Sequence, residues 1–195
     1  MATFLAPVSA FTAGFLTFFL ACLLIIKKDR GNPLNRAIAF VLLIGSVMQT
    51  ANGMAVVDST DVALWRSLVL ICELLLPAAL LYTGLALMRV AGVQGEMGAH
   101  WRAHAVAVIG AGLGILAWSE GTFQIKSGLV TLGPLGRVDY IFIVFTLALG
   151  LAQLEQILRG ARDPFRYQLK FIVIGLGAFA GYKVYESSRD RKSVV

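Results

Sequence analysis

Residues 4–26 read FLAPVSAFTAGFLTFFLACLLII, and this uncharged stretch decides the fold class. A helix needs about 20 consecutive, mainly apolar residues to cross the hydrocarbon core of a bilayer. Segments of the same kind recur near residues 37–57, 66–88, 102–119, 139–158 and 168–187. Because hydrocarbon offers no partner for unpaired backbone groups, such segments must be helical. The sequence therefore predicts an all-α, polytopic transmembrane bundle with about six spans.

The composition excludes a soluble globular domain. Hydrophobic residues make up 58% of the 195 residues and charged residues 14%, with a mean hydropathy of +0.79. Soluble domains carry about 45–50% apolar and about 25% charged residues. The net charge of +6 would suit a nucleic-acid-binding protein. The basic residues, however, lie in loops between apolar segments, which indicates membrane topology. We therefore expect the lipid bilayer, and no nucleic acid, as a partner.

Lysine and arginine are distributed unequally between alternate loops. The loops after the first, third and fifth spans hold ten of them: Lys27, Lys28, Arg30, Arg36, Arg89, Arg102, Arg159, Arg162, Arg166 and Lys170. The intervening loops contain only Lys126 and Arg137, with Arg66 at a span edge, and one carries Asp58 and Asp61. Positively charged loops stay in the cytoplasm. This bias predicts a multi-pass protein of the bacterial inner membrane with its N-terminus outside.

The longest predicted loop, residues 120–138, contains a candidate β-hairpin at 122–132. Two short segments with strand-like composition, 122–126 and 129–132, flank the turn-forming pair Ser127-Gly128,. Two interpretations remain open for this loop. It is a simple connector, or it is a lid over an external pocket.

No catalytic or metal-binding pattern accompanies the spans. Cys22 and Cys72 lie inside apolar segments without a CxxC spacing, so we expect buried, unreactive thiols. The segment GLGAFA at 175–180 imitates a dinucleotide-binding fingerprint, but it lacks the preceding strand that such a site needs. We predict no catalytic residue, no cofactor and no metal in this chain.

Glu73 is the most informative single residue, because it lies about two turns inside the third predicted span. A charged side chain at the bilayer centre costs about 2.5–3.5 kcal/mol on insertion scales. We therefore expect Glu73 to face the bundle and to be protonated or paired, with Lys183, Gln49 and Asn52 as candidate partners. Two roles stay open: a structural hydrogen bond between helices, and a carboxyl that senses a ligand or protons.

Glycines spaced four residues apart favour close helix packing. The predicted packing glycines are Gly110, Gly114, Gly175, Gly177 and Gly181. We expect them to pack inside the bundle, with a dimer face as the alternative.

Lys183, His100 and His104 are expected to have interface or pairing roles. Lys183 is expected to reach the outer interface or to pair with Glu73 or Asp139. A Schiff-base role for Lys183 is rejected, because no counter-ion pattern accompanies it. His100 and His104 are expected at the inner boundary as interface residues, since no phospho-acceptor box surrounds them.

The second half of the chain carries a recognisable pattern. It consists of LEQILR at 154–159, DPFR at 163–166 and LKFIVIGLGAFAGYKVYES at 169–187. This pattern resembles the multi-span N-terminal sensor region of the bacterial histidine kinases of the exosortase/PEP-CTERM system. The resemblance is specific over about 132–188. The matching positions are Glu155, Arg159, Lys170, Gly175, Gly177 and Tyr185.

The resemblance implies a function that the residues alone do not. Members of that family serve exopolysaccharide and exosortase systems, and their later spans, phospho-acceptor domain and ATP-binding domain would follow this region. It implies a homodimer formed through those cytoplasmic domains and a response regulator as their partner. Residues 1–189 would be the sensor bundle, with no catalysis of its own. The last residues, 190–195 (DRKSVV), match a translated sequencing adapter, so we expect a longer gene interrupted near Arg189.

A small transporter or channel is the alternative. Such a protein usually has broken helices and intramembrane charges in both halves. In this sequence only Pro77 lies where it would break a span. The polar groups are predicted to cluster near the outer side, which favours the sensor.

Overall fold

The computed structural model describes most of the chain between Ala2 and Gly181. The described residues are 2–26, 32–58, 60–92, 96–119, 123–126, 129–132, 134–160, 167, 170, 171, 173–175, 177, 178 and 181. In chain order, the elements are α1 (Ala2–Ile26), α2 (Pro33–Val57), α3 (Val62–Ala91), α4 (Glu96–Ser119), β1 (Phe123–Lys126), β2 (Leu129–Leu132) and α5 (Pro134–Gly160). Helical backbone is also described at 167, 170, 171, 173–175, 177, 178 and 181.

Four of these helices are long and apolar enough to cross a membrane. They contain the apolar stretches Ala6–Ile26 (α1), Pro33–Val57 (α2), Val62–Val90 (α3) and Val138–Gly160 (α5). Helix α4 covers the predicted span 102–119 but is not one of the four, and its first half holds Arg102 and two histidines. The predicted span 168–187 lies mostly outside the described residues. The fold is thus a helical bundle with four membrane-compatible helices.

Local signals place the ends of α2 and α3. The Asn32 side chain accepts a hydrogen bond from the Leu34 amide at 3.0 Å, and Pro33 occupies the first turn. This arrangement satisfies an amide that a helix start leaves unpaired. Helix α3 ends at Gly92, whose φ of 66° is left-handed and suits a glycine,. In α3, Pro77 lies inside a continuous helix instead of breaking it.

The predicted hairpin forms. Strands β1 and β2 pair antiparallel, with Phe123 opposite Leu132 and Lys126 opposite Leu129. Strand β1 contacts α3 and strand β2 contacts α5. We call this side of the bundle, with the 58–61 turn and the start of α5, the hairpin end. The other side, where α2 begins, α3 ends and α5 ends, is the cationic end, because Arg36, Arg89, Arg102 and Arg159 are exposed there.

Helix α3 forms the centre of the bundle, packing against α2, α4 and α5. Near the hairpin end, a buried cluster unites the α2 residue Met48 with Leu70 and Leu74 of α3 and Leu147 of α5. Towards the cationic end, a second cluster unites α3 with α4 and α5, through side chains such as Leu85, Leu87, Ala103, Leu154 and Ile157. Helix α1 packs on α2, where the Ser46 hydroxyl donates to the Gly14 carbonyl at 2.8 Å.

Candidate intramembrane polar site

Two carboxyl groups lie in the part of the bundle nearer the hairpin end, on neighbouring helices that run in the same direction. A Cβ atom on Gly110 would meet both Leu74 of α3 and Phe142 of α5, and one on Gly84 would meet Gln153. Residues of α5 therefore lie level with α3 residues about 68 positions earlier. This register places Asp139 of α5 about level with residue 71 of α3, within one helical turn of Glu73.

Asp139 is the most deeply buried acid in the described part of the chain. Its residue is 1% exposed, and its Oδ2 atom has no hydrogen-bond partner among the described residues. Buried polar atoms without a partner are rare in native structures and call for an explanation such as a functional role. From the sequence alone we expect Asp139 only as a partner for Lys183, which lies outside the described residues. The feature of the sequence that could have indicated this buried carboxyl is the position of Asp139, an acid at the start of the predicted span 139–158.

Glu73 lies half-buried on α3, between Cys72 and Leu74, which belong to the first buried cluster. Of its predicted partners, Gln49 and Asn52 are half-buried on α2, and Lys183 is outside the described residues. The Asn52 side-chain oxygen accepts a hydrogen bond from Arg66 Nη1 at 3.4 Å. Asn52 is therefore bonded to Arg66 of α3, near the 58–61 turn. The sequence does not predict this pair.

The 58–61 turn is held by Asp58, the residue that ends α2. Its carboxylate accepts hydrogen bonds from the Thr60 side chain, from the Thr60 amide at 3.1 Å and from Trp65 Nε1 at 3.2 Å. These bonds, the Thr60 side chain first and Trp65 second, lower the pKa of Asp58 below its ordinary value of 3.8,. The turn beside the candidate site thus keeps a fixed negative charge at neutral pH.

Glycine packing brings α4 against α3 beside the two carboxyl groups. A Cβ atom on Gly110 would lie 2.6 Å from the Leu74 carbonyl oxygen, and one on Gly114 would lie 3.6 Å from Ile71 Cγ1. A Cβ on Gly177 would touch Leu151 of α5 at 3.8 Å, whereas Gly175 and Gly181 have no such neighbour within 4 Å in the described part. Among the predicted packing glycines, Gly110 therefore lies so close to the Leu74 backbone of α3 that a side chain would not fit there,.

At the cationic end, the two predicted interface histidines bond to α3. Arg89 Nη2 and His100 Nε2 are 2.9 Å apart, and the Tyr82 hydroxyl and His104 Nδ1 are 2.5 Å apart. On α5, Glu155 forms an exposed ion pair with Arg159 one turn later. Such a pair stabilises a helix by about 0.3–0.5 kcal/mol, so these two resemblance positions brace the helix that carries them.

The acids of the site, Glu73 and Asp139, carry carboxyl groups, which can exchange a proton or pair with a cation. Within the described ranges, no three His, Cys, Asp or Glu side chains converge as a metal-binding group. Cys72 is buried among apolar side chains, and Cys22 is partly exposed. The structure is thus a membrane-compatible helical bundle, in whose described part the Oδ2 atom of the buried Asp139 has no hydrogen-bond partner.

Comparison of the chain with protein-family models, curated proteins and solved structures gives no match.

Proposed function

We propose that this chain is the membrane-embedded input region of a bacterial sensor histidine kinase linked to exopolysaccharide and exosortase systems. The observation that carries the proposal is the sequence pattern from about 132 to 188, with Glu155, Arg159, Lys170 and Tyr185 in the family's positions. The bundle suits this role, because it offers apolar helices for the bilayer. Catalysis belongs to cytoplasmic domains encoded further along the gene.

The orientation of the proposed input region follows from charge. Arg36, Arg89, Arg102 and Arg159 are exposed at the cationic end, and Asp58 and Asp61 lie at the hairpin end. Because loops rich in lysine and arginine remain in the cytoplasm, the cationic end faces the cytoplasm. The N-terminus, the 58–61 turn and the hairpin then lie outside, where they meet an external signal.

A signal in this arrangement acts through helix packing. Helices α3 and α5 run side by side from the hairpin end to the cationic end, and Asp139 is buried near the hairpin end of α5. A ligand or ion that binds one arrangement of these helices better than another shifts the population towards it. The shift then changes the spacing of helix ends at the cytoplasmic face, where a dimeric kinase responds.

The experiment that tests the proposal reads the genomic locus beyond codon 189. We expect the reading frame to continue without the adapter-like residues 190–195, through an odd number of further spans, into a phospho-acceptor histidine segment and an ATP-binding domain. A genuine stop codon after Val195 contradicts the proposal. Expression of the complete protein then permits an autophosphorylation assay with ATP.

One observation favours a transporter or channel instead. Asp139 and Glu73 place two acids on adjacent membrane-compatible helices, and intramembrane acids often line proton or ion pathways. Helix α3 continues through Pro77 without a break, whereas many transporters bind their substrates at broken helices,. This feature disfavours the transporter. Proton flux through liposomes that contain the purified chain, lost on Asp139→Asn, would support the transporter, and tight liposomes would support the sensor.

A further inference from the structure

The face of α5 that carries Asp139 is packed against the bundle. Asp139 is 1% exposed, and Gly136, Ile143 and Thr146 are buried on the same face within two helical turns,. Thr146 donates its hydroxyl proton to the Phe142 carbonyl oxygen of its own helix at 2.6 Å. Along this face of α5, the Asp139 carboxyl group therefore meets buried residues that offer it no proton.

The Oδ2 atom of Asp139 is closed off from water and has no hydrogen-bond partner in the described part of the chain. An ionised carboxylate only accepts hydrogen bonds, whereas a protonated carboxyl group also donates one. Burying an ionised carboxylate without a partner is so costly that such a group takes up a proton instead. The surroundings of Oδ2 therefore favour the neutral form of this side chain.

On α3, two charged residues lie near the level of Asp139. The register described above places Asp139 about level with residue 71, between Arg66 and Glu73. Arg66 is exposed, and its Nη1 atom donates to Asn52 of α2. Glu73 is a second acid, and a like charge nearby makes ionisation more costly. The described contacts of α3 therefore do not compensate a negative charge on Asp139.

The other elements that pack against α5 are α4 and β2. Neither the 105–119 part of α4 nor strand β2 contains a charged residue. Lys126, Arg137 and Lys183 have side chains outside the described part of the chain. These three cations are the alternative partners that an experiment has to distinguish from a proton.

The position of Asp139 along α5 favours access from the hairpin end. Asp139 lies five residues, about 7.5 Å along the axis, from the first residue of α5, Pro134,. The last residue, Gly160, is about 32 Å away in the other direction,. The attraction of a helix N-terminus for negative charge falls off within the first turn, which Asp139 has already passed. A proton therefore has its shorter route from the hairpin end.

We propose that Asp139 is a proton-binding site in the part of the bundle nearer the hairpin end. In the packed state, its carboxyl group holds a proton taken up from that end. When the proton passes to water, the carboxylate favours a looser packing of α5 against α3, in which water reaches Oδ2. The site is a property of the bundle and goes beyond the proposed sensor function. Only its use as an input to a kinase would rest on that function.

Infrared spectroscopy of the purified chain in lipid vesicles at pH 7 tests the site. A protonated carboxyl group has a separate C=O stretching band that a carboxylate lacks. An aspartate in water is protonated in only about one molecule in a thousand at this pH. We therefore expect the band in wild type and its loss in Asp139→Asn. Asp61→Asn is the matched control, because it changes an exposed aspartate at the hairpin end and should keep the band.

A second measurement needs no substitution. Aspartate labelled with ¹³C at the side-chain carboxyl should move the wild-type band to lower frequency, which separates Asp139 from Glu73 even if Asp139→Asn fails to fold. The wild-type band should disappear when the pH is raised. At that pH, amide hydrogen exchange over residues 136–143 should become at least tenfold faster in wild type than in Asp139→Asn, with equal rates at pH 6.

Three results would overturn the proposal. Absence of the band in wild type at pH 7 would show an ionised Asp139, paired with a cation such as Lys126, Arg137 or Lys183. A band that persists in Asp139→Asn, or that ignores the ¹³C label, would belong to another acid. Equal exchange rates in wild type and variant after the band has disappeared would show that the proton does not control the packing of α5.

Discussion

Gly110 occupies a position where α4 approaches the backbone of α3. Any Cβ atom there would lie 2.6 Å from the Leu74 carbonyl oxygen, and backbone cannot rotate out of the way as a flexible side chain can. Apolar helices gain little from the hydrophobic effect when they associate in lipid, so close contacts of this kind contribute much of their association. The space at one residue therefore determines how closely two whole helices pack.

The variant Gly110→Ala should destabilise the bundle. Overpacking of a tight contact costs about 1–3 kcal/mol, and a chain of this size loses about 2–4 °C of Tm per kcal/mol. Thermal unfolding in detergent, followed by a thiol-reactive dye on the buried Cys72, measures the shift. Gly112→Ala is the control, because a Cβ atom there has no neighbour within 4 Å in the described part. Equal Tm values for the two variants would contradict the close contact.

Asp139→Asn should leave the stability of the bundle unchanged or higher. The carboxyl oxygen Oδ2 has no partner among the described residues, so the isosteric amide loses no described hydrogen bond at that atom and removes a buried acid. If the proposed sensor function holds and Asp139 belongs to its site, the same variant in the complete protein should change the response to the signal, because functional sites commonly trade stability for activity. A Tm fall as large as that of Gly110→Ala would show instead that the carboxylate has a structural partner.

For single residues, the sequence indicates which side chains are unusual, but it does not indicate which side chains they contact. It singled out Glu73 as an acid inside an apolar helix, but it could not assign Asn52 to Arg66, because that pairing depends on the rotation of α2 against α3. Asp139 was predicted to lie at the edge of a span. Asp139 is buried because it lies on the face of α5 that packs against the neighbouring elements. Hydropathy alone does not show which face of a helix is packed.

At the scale of elements, the turn between α2 and α3 depends on one carboxylate. Asp58 collects hydrogen bonds from Thr60 and Trp65, and they lower its pKa. A group whose pKa is lower in the folded state stabilises the fold above its unfolded pKa, and this stabilisation is lost as pH falls through the folded pKa. The turn should therefore weaken under acid and be insensitive to pH near neutrality.

Thermal unfolding between pH 6 and pH 3 measures this dependence. We expect the wild-type Tm to fall as the pH drops below the ordinary value of 3.8, and Asp58→Asn to show a lower Tm at pH 6 with a shallower fall. Trp65→Phe removes one of the two donor side chains and should give an intermediate result. A wild-type profile that matches the profile of Asp58→Asn would show that the turn bonds do not form.

Element positions were predicted with uneven success, for physical reasons. The hairpin was found because its turn pair and strand composition are local signals, and the pairing register agrees with them. Helix α4 begins at Glu96, six residues before the predicted span. Hydropathy marks where a segment would enter hydrocarbon, whereas a helix continues into the polar region beyond it. The contact between β1 and α3 is compatible with both interpretations of the 120–138 loop, the connector and the lid.

At the scale of the whole molecule, the bundle has two chemically different ends. The hairpin end carries Asp58, Asp61 and the hairpin, and the cationic end carries exposed arginines from α2, α3, α4 and α5. Helices α3 and α5 join the two ends without a break. The proposed function requires that the hairpin end lies outside the cell and the cationic end lies at the cytoplasmic face.

Site-directed labelling of intact cells measures this orientation. Single cysteines replace Asp61 at the hairpin end or Arg159 at the cationic end, in a chain with Cys22→Ser and Cys72→Ser. Both positions are exposed, and Asp61 makes no side-chain cap bond. A membrane-impermeant maleimide should label Asp61→Cys in intact cells and Arg159→Cys only after the membrane is opened. Labelling of Arg159→Cys in intact cells, with Asp61→Cys protected, would contradict the account.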